Sequence, residues 1–475
     1  MAPRHYHLIG IGGTAMASLA GLLQAKGYRV TGSDERVYPP TSELLARLGI
    51  PYAEGYRPEN LEPRPDIVVV GNAITRGNPE LETVLDRKLR FASAPATIRE
   101  EFLWERHVLA VAGTHGKTTT TSLLAWLLEA AGLEPSFLIG GVAENFGSSF
   151  RLRPTRFFVL EADEYDSAFF DKGPKMWHYL PDTAVVTNVE FDHADIYRDE
   201  IAYRFAFARF VHLVPRRGRV IAGWESAAVR DIAKAALAPV EPFGLGDGRE
   251  LVWRATDLDV RPEGTRFRVW HGKQEWGTVE TPLVGEFNVR NCLAAIAAAA
   301  SVGADPERLR EGLRTFRSVK RRMEVRGEAG GVLVIDDFAH HPTAVRETLR
   351  ALRQRYPGRR LVAVFEPRSY TAQRREMQPL YARAFDDADV VVLASLFRPE
   401  RYDAATALDP QALVEAWRAE GREAYYVPTA DEIVAFLAPR LRPGDVVAVL
   451  SNGDFGGLHD KLLARLRERF VTPAT

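Results

Sequence analysis

The stretch from residue 107 to residue 132 constrains this chain more than any other. An apolar run, His107 to Val111, reads as a buried strand. The turn Ala-Gly-Thr-His-Gly-Lys-Thr-Thr-Thr follows at 112–120, and then apolar residues recur at helical spacing until Gly132 stops them. Strand, glycine turn and helix in that order demand a parallel α/β unit and form the context of a phosphate-binding loop. Gly113 and Gly116 let the amides of the turn, with Thr114 and His115 between them, converge on an anion at a helix N-terminus. Lys117 supplies a mobile positive charge for terminal phosphates, and Thr118, followed by Thr119, a hydroxyl for Mg2+. The position five before Gly116 is Val111, not glycine, so the loop is a shortened variant. ATP is the predicted nucleotide.

The same alternation extends along the chain and predicts three α/β blocks, at 1–103, 104–322 and 323–475. The first opens with strand Tyr6 to Ile11 and a helix reaching Lys26. A second strand ends at Ser33-Asp34, and a third, Asp66 to Val70, ends at Gly71-Asn72. Phe102 to Arg106 joins it to the phosphate-loop strand. The middle block continues with strands 157–160 and 184–187, a β-rich region near 217–290 and an alanine-rich helix from about Asn291 to Val302. The basic stretch 318–323 marks the second junction. The third block alternates strand 332–335, helix 342–355, strand 361–365, helix 376–386 and strand 390–394, then closes with strand 446–450 and an amphipathic helix. Ligands of such sheets sit beyond the carboxyl ends of the strands, so polar residues just after each strand are the candidates.

Those residues form three groups. Gly10, Gly12 and Gly13, with Asp34 after the second strand, nearly spell a dinucleotide fingerprint. Residues 1–100 alone read as a nicotinamide oxidoreductase, a reading weakened by the separate phosphate loop. In the middle block Glu161 ends a strand where a Mg2+ bridging phosphates needs a carboxylate, and Asp-His-Ala-Asp at 192–195 places His193 after the next strand. A solvated acidic loop is the bland alternative for the first, and a structural histidine for the second. The third block offers Asp336 and Asp337, His340, Arg368, and Ser451 with Asn452. Arg368 is a candidate fork for a carboxylate. Asp336, Asp337 and Ser451 are equally good helix caps.

Composition restricts the partners. The net charge of −1 gives no bulk attraction to nucleic acid or anionic membrane, and the longest apolar run, 293–300, is too short to cross a bilayer. The single cysteine, Cys292, cannot form an internal disulfide and lies in an apolar helical stretch. With a strand beginning near Tyr6, these features predict a cytoplasmic protein without a signal peptide, monomeric or weakly dimeric.

Together the motifs resemble the Mur ligase family, ATP-dependent enzymes that form amide bonds in peptidoglycan precursors. The resemblance rests on Gly-Ile-Gly-Gly at 10–13, Gly-Thr-His-Gly-Lys-Thr-Thr at 113–119, Glu-Ala-Asp-Glu at 161–164, Asp-His-Ala-Asp at 192–195, Asn288, Asn291 and Asp-Asp-Phe-Ala-His-His-Pro at 336–342. It implies a three-domain α/β architecture: a Rossmann-like N-terminal domain, a central P-loop ATPase domain and a Rossmann-like C-terminal domain. It also implies ATP with Mg2+ as cofactors. Lys117, Glu161 and His193 would carry catalysis, with Thr118, Glu161 and His193 on metal. The resemblance further places Asn291 at the adenine and Arg322, Asp336, Asp337 and His340 at the nucleotide. Gly10, Gly12, Gly13, Ser33, Asp34 and Asn72 would hold the UDP of UDP-N-acetylmuramate. Stretches 37–40, 71–79, 168–172 and 451–457 are similar to members that attach the recycled murein tripeptide L-alanyl-γ-D-glutamyl-meso-diaminopimelate. Glu366-Pro367-Arg368-Ser369 departs from the Gln-Pro-His-Arg of members that attach alanine. Arg368, Ser451 and Asn452 would then meet the peptide. Several relatives brace a second metal with a carbamylated lysine, but no lysine occurs between Lys175 and Lys234.

Overall fold

A computed structural model describes residues 3–403 and 405–471. Three large sheets, each flanked by helices, divide these residues, beside a two-stranded antiparallel ribbon of Asp166–Ala168 and Asp171–Pro174. The first sheet has five parallel strands in the order Tyr52–Glu54, Arg29–Asp34, His5–Ile9, Ile67–Val70, Phe91–Ser93. Ile9 pairs with both Ser33 and Val70, so Gly10, Asp34 and Gly71-Asn72 emerge at one edge.

The second sheet has ten strands. Its centre runs Ser136–Ala143, Phe157–Glu161, His107–Ala112, Thr183–Val186, Arg219–Gly223, all parallel and almost wholly apolar, as buried parallel strands must be. The predicted β-rich region closes it as an antiparallel meander, Trp253–Arg261, Gly264–His271 and Gln274–Thr281. The alanine-rich helix starts earlier than predicted, at Glu286, and runs to Ser301. Gly285 at its N-cap provides the early start, and its small buried side chains let it lie close to the phosphate-loop helix Lys117–Ala130.

The third sheet has six strands in the order Glu324–Ala329, Val332–Asp337, Val446–Leu450, Leu361–Phe365, Val390–Leu393, Glu423–Tyr426; only the first pair is antiparallel. Leu450 lies level with Asp337 and Phe365, which gathers 336–337, 366–368 and 451–452 at one edge. The joining stretch 102–106 begins in the wider turn Arg99–Leu103 that continues helix Ala94–Ile98 and ends in a turn before strand His107–Ala112. One expectation needs correction. The helix predicted at 376–386 shortens to Gln378–Ala384 behind two tight turns, because Pro379 belongs in a first helical turn.

Candidate active site

Three neighbouring strands build the centre of the site. Val111 lies level with Glu161, and Ala112 with Val186, so the loops after the three strands begin side by side. Gly113 and Gly116 have φ of 139° and 81°. A Cβ at Gly113 would sit 2.0 Å from Thr187 Oγ1, and one at Gly116 2.5 Å from Asn291 Oδ1, so only glycine fits either position. The turn between them is fixed from outside. His115 N–H donates to Asn188 Oδ1 at 2.9 Å, while Thr187 Oγ1 donates to His115 O at 2.7 Å. Thr119 is buried in the helix behind.

Lys117 Nζ donates to Gly113 O at 2.6 Å and meets Glu164 Oε2 at 2.7 Å. Glu164 is wholly buried and also receives His193 Nε2 at 3.0 Å and Tyr203 OH at 3.2 Å. Burial works against ionising Glu164, yet Lys117 and His193 outweigh it and hold its pKa below the ordinary value. Burial likewise opposes charge on His193, but Asp192 and Glu164 raise its pKa. Sequence reading missed Glu164, although it closes the quoted acidic motif, and Tyr203 gives no local signal at all.

Thr118 Oγ1 donates to Glu161 Oε1 at 3.0 Å, and Glu161 Oε2 accepts Gly140 N–H at 2.8 Å. Burial raises the Glu161 pKa, against the pull of Lys117. A hydroxyl beside an under-neutralised carboxylate is a donor pair for a hard divalent cation. Arg322, from the junction with the third sheet, donates to the same Thr118 hydroxyl at 3.1 Å.

A cleft of about 450 Å³ opens beside the loop, lined by Gly116, Asn291, Arg290 and Phe287 on one side and Thr343 and Arg346 of the third block on the other. Asn291 therefore sits where a nucleoside bound at the loop would extend. His340 approaches from the third block, its Nε2 3.7 Å from Asp192 Oδ2. Asp336 and Asp337 have other partners. Asp336 pairs with Arg321 at 3.2 Å, and Asp337 accepts from Met323 N–H at 2.7 Å and Ala339 N–H at 2.8 Å. Both carboxylates thus brace the junction 321–323.

At the first sheet's edge, Gly12 N–H donates to Asp34 Oδ2 at 2.8 Å. The Ser33 hydroxyl is buried and donates to Glu80, a fully buried carboxylate that also takes His7, Asn60 and the Arg57 amide. Glu80 went unread in the sequence because its partners lie far from it along the chain. Gly13 begins the helix Thr14–Ala25 and Asn72 stays partly exposed beside the loop. At the third sheet's edge, Ser451 Oγ donates to Glu366 Oε2 at 2.6 Å, and Arg368 lies 3.2 Å from Asp454 and 4.0 Å over the Phe397 ring. Asn452 Oδ1 is buried there without a partner.

Comparison with known proteins agrees with this layout. Residues 5–101 match the domain described as Mur ligase family, catalytic domain; 111–299 match the Mur ligase middle domain; and 321–453 match Mur ligase, glutamate ligase domain. The chain is 42% identical over 469 residues to UDP-N-acetylmuramate–L-alanyl-γ-D-glutamyl-meso-2,6-diaminoheptandioate ligase of Escherichia coli K12, covering 98% of each. It is 36% identical over 470 residues to UDP-N-acetylmuramate–L-alanine ligase of an Anaeromyxobacter species, again covering 98% of each. A crystal structure of a murein peptide ligase from Psychrobacter arcticus superposes with a TM-score of 0.75 at 36% identity, over 99% of this chain and 100% of that one. The phosphate loop, the acids on its neighbouring strands and the glycine-led first sheet are thus parts of one known design, and the chain belongs to the Mur ligase family.

Proposed function

We propose that this protein joins the lactyl carboxylate of UDP-N-acetylmuramate to the amine of L-alanyl-γ-D-glutamyl-meso-diaminopimelate at the expense of ATP. The observation that carries this reading is the juxtaposition of Lys117, Glu164 and His193 beside the loop 113–116, in a chain whose peptide-joining relative matches it from end to end. A carboxylate does not react with an amine at neutral pH, because its oxygen is too poor a leaving group. Transfer of the γ-phosphoryl group of ATP to that oxygen gives an acyl phosphate and ADP, and makes the oxygen part of a good leaving group. The amine then attacks the acyl carbon, and inorganic phosphate leaves from a tetrahedral intermediate.

The work of the chain is positioning and charge neutralisation. The amides of Thr114, His115 and Gly116 cradle the phosphates, Lys117 turns from Glu164 to the terminal ones, and Asn291 meets the base. Thr118 and Glu161 fit Mg2+ as hard oxygen donors, with His193 toward a second ion; bound there, these ions would neutralise the phosphate charge. Glu164, bridging Lys117 and His193, supports the second position where relatives use a modified lysine. Residues 1–103 would hold the UDP through Gly10, Gly12, Gly13, Asp34 and Asn72, with Ser33 shaping the site through Glu80. Residues 104–322 would carry ATP. Residues 323–475 would bring Arg368, Ser451 and Asn452 to the peptide, and the unpaired Asn452 oxygen supports that role by offering a buried acceptor.

The test measures ATP-dependent phosphate release with UDP-N-acetylmuramate and either the tripeptide or L-alanine. Turnover with the tripeptide and little with alanine is expected. A preference for free alanine would replace this reading with that of the alanine-joining relatives.

A further inference from the structure

The wall of the cleft carries a cluster that the ligase chemistry does not use. His115 comes from the phosphate loop, Glu190 from the loop after strand Thr183–Val186, and His341 from the N-cap of helix Pro342–Arg355 in the third block. One nitrogen of each ring and one Glu190 oxygen all lie within 4.8 Å of one another. His115 Nε2 is 3.3 Å from Glu190 Oε2, and His341 Nδ1 is 3.4 Å from the same oxygen. With bonds of about 2.0–2.1 Å, neighbouring ligands around a tetrahedral Zn2+ stand about 3.3–3.4 Å apart. The two edges to Glu190 match that span, and the third, between the rings, lies within 4.8 Å.

We propose that His115, Glu190 and His341 form a transition-metal site bridging the central and third domains, which takes a borderline-soft divalent ion of the Zn2+ class. Two imidazoles and one carboxylate are the donor set such ions prefer over Mg2+ or Ca2+. The site has a polar contact that a cation would resolve. His341 Nδ1 accepts the Thr343 N–H at 3.4 Å, so it presents a lone pair, and the Glu190 oxygen facing it is also an acceptor. An ion at Nδ1 would replace that long cap bond.

The mounts are rigid. The His115 backbone is held by Asn188 and Thr187, while Glu190 N–H donates to Thr114 Oγ1 at 3.0 Å. His115 and Glu190 line the cleft, from which water can complete a fourth position. Because His341 belongs to the other domain, a bound ion clips the third domain onto the phosphate loop. The inference does not depend on which amine the enzyme uses.

The test uses the full chain, stripped with chelator and free of substrates. Titration of Zn2+ against a chromophoric chelator should find one tight equivalent, and Co2+ should give the intense visible absorption of a four-coordinate ion. His341→Ala and Glu190→Gln, each shown folded by circular dichroism, should weaken binding at least about tenfold. His193→Ala should leave it unchanged. Zn2+ should raise the thermal midpoint of the parent protein but not of His341→Ala. No tight equivalent, binding undiminished in both variants, or binding lost in His193→Ala would each overturn the proposal.

Discussion

Two loops in this molecule share one backbone plan and differ in what surrounds them. Residues 10–13 and 113–116 each follow a buried parallel strand, turn at positive-φ glycine (Gly10 in one, Gly113 and Gly116 in the other) and enter a helix. Around 113–116 the loop is tied by Asn188 and Thr187, and Lys117 opens its helix, paired with Glu164. Around 10–13 the tie is an anion. Asp34 takes the Gly12 amide at 2.8 Å, and the helix that follows carries no basic residue in its first turn. The loop at 113–116 therefore opens on a cation, and the loop at 10–13 on a carboxylate. A loop flanked by lysine can gather charge that develops on a transferring phosphoryl group. In the proposed function the loop at 10–13 seats a pyrophosphate that undergoes no reaction, so chemistry falls to one loop and carriage to the other.

The strongest way to break that division is Lys117→Ala. Loss of the lysine that opens the helix after the loop at 113–116 should lower phosphate release by at least roughly 10³-fold. Binding of UDP-N-acetylmuramate, measured by calorimetry without ATP, should stay unchanged. Equal loss of both would mean that the loops are not functionally separate.

What fixes the two loops relative to each other is open to a smaller test. Glu101, in the helical joint between the first two sheets, accepts Tyr28 OH at 2.6 Å, Tyr6 OH at 2.7 Å, Lys26 Nζ at 2.8 Å and Arg4 at 3.0 Å. Burial opposes its charge, but Lys26 and the tyrosines win and bring its pKa down to about 2 from the ordinary 4.5. A depressed carboxylate contributes stability that is fully present above its unfolded pKa and is lost as pH falls through the folded one. Glu101→Gln should therefore cost about 2–3 kcal/mol at pH 7. The gap between the two proteins in urea midpoint should narrow between pH 4.5 and 2. A gap that persists unchanged at acid pH would show that Glu101 acts by packing alone.

This comparison also marks where sequence reading succeeds and fails. Glycine turns, strand ends and the helix that follows are local, so both loops, Glu161 and His193 could be read from a few adjacent residues. Register then aligned them, as parallel pairing requires. Glu164, Tyr203 and Glu80 escaped because their partners come from elsewhere in the fold: Glu80 joins Ser33 and His7 across 47 and 73 positions. Asp336 and Asp337 have the opposite character. They end a strand as ligand-bearing acids do, and at the junction they also take up Arg321 and the Met323 amide, partners no local pattern announces. Strand-end position reveals which edge a residue occupies, while the contacts it makes there depend on chain segments that no local pattern contains.

The mildest test acts on the carrier loop itself. Asp34→Ala removes the acceptor that holds the Gly12 amide, and with it the contact from Tyr56 OH at 3.5 Å. The turn keeps its other supports, since Gly10 and Ile11 both donate to Ser33 O, at 2.8 and 3.0 Å. One hydrogen bond to a charged group is worth about 1.5 kcal/mol, so the KM for UDP-N-acetylmuramate should rise about tenfold. Nothing near 113–116 changes, and the KM for ATP should hold. If instead the KM for ATP rises in step, the carboxylate at Asp34 reaches the reacting phosphates through the joint at Glu101, and the two loops act as one site.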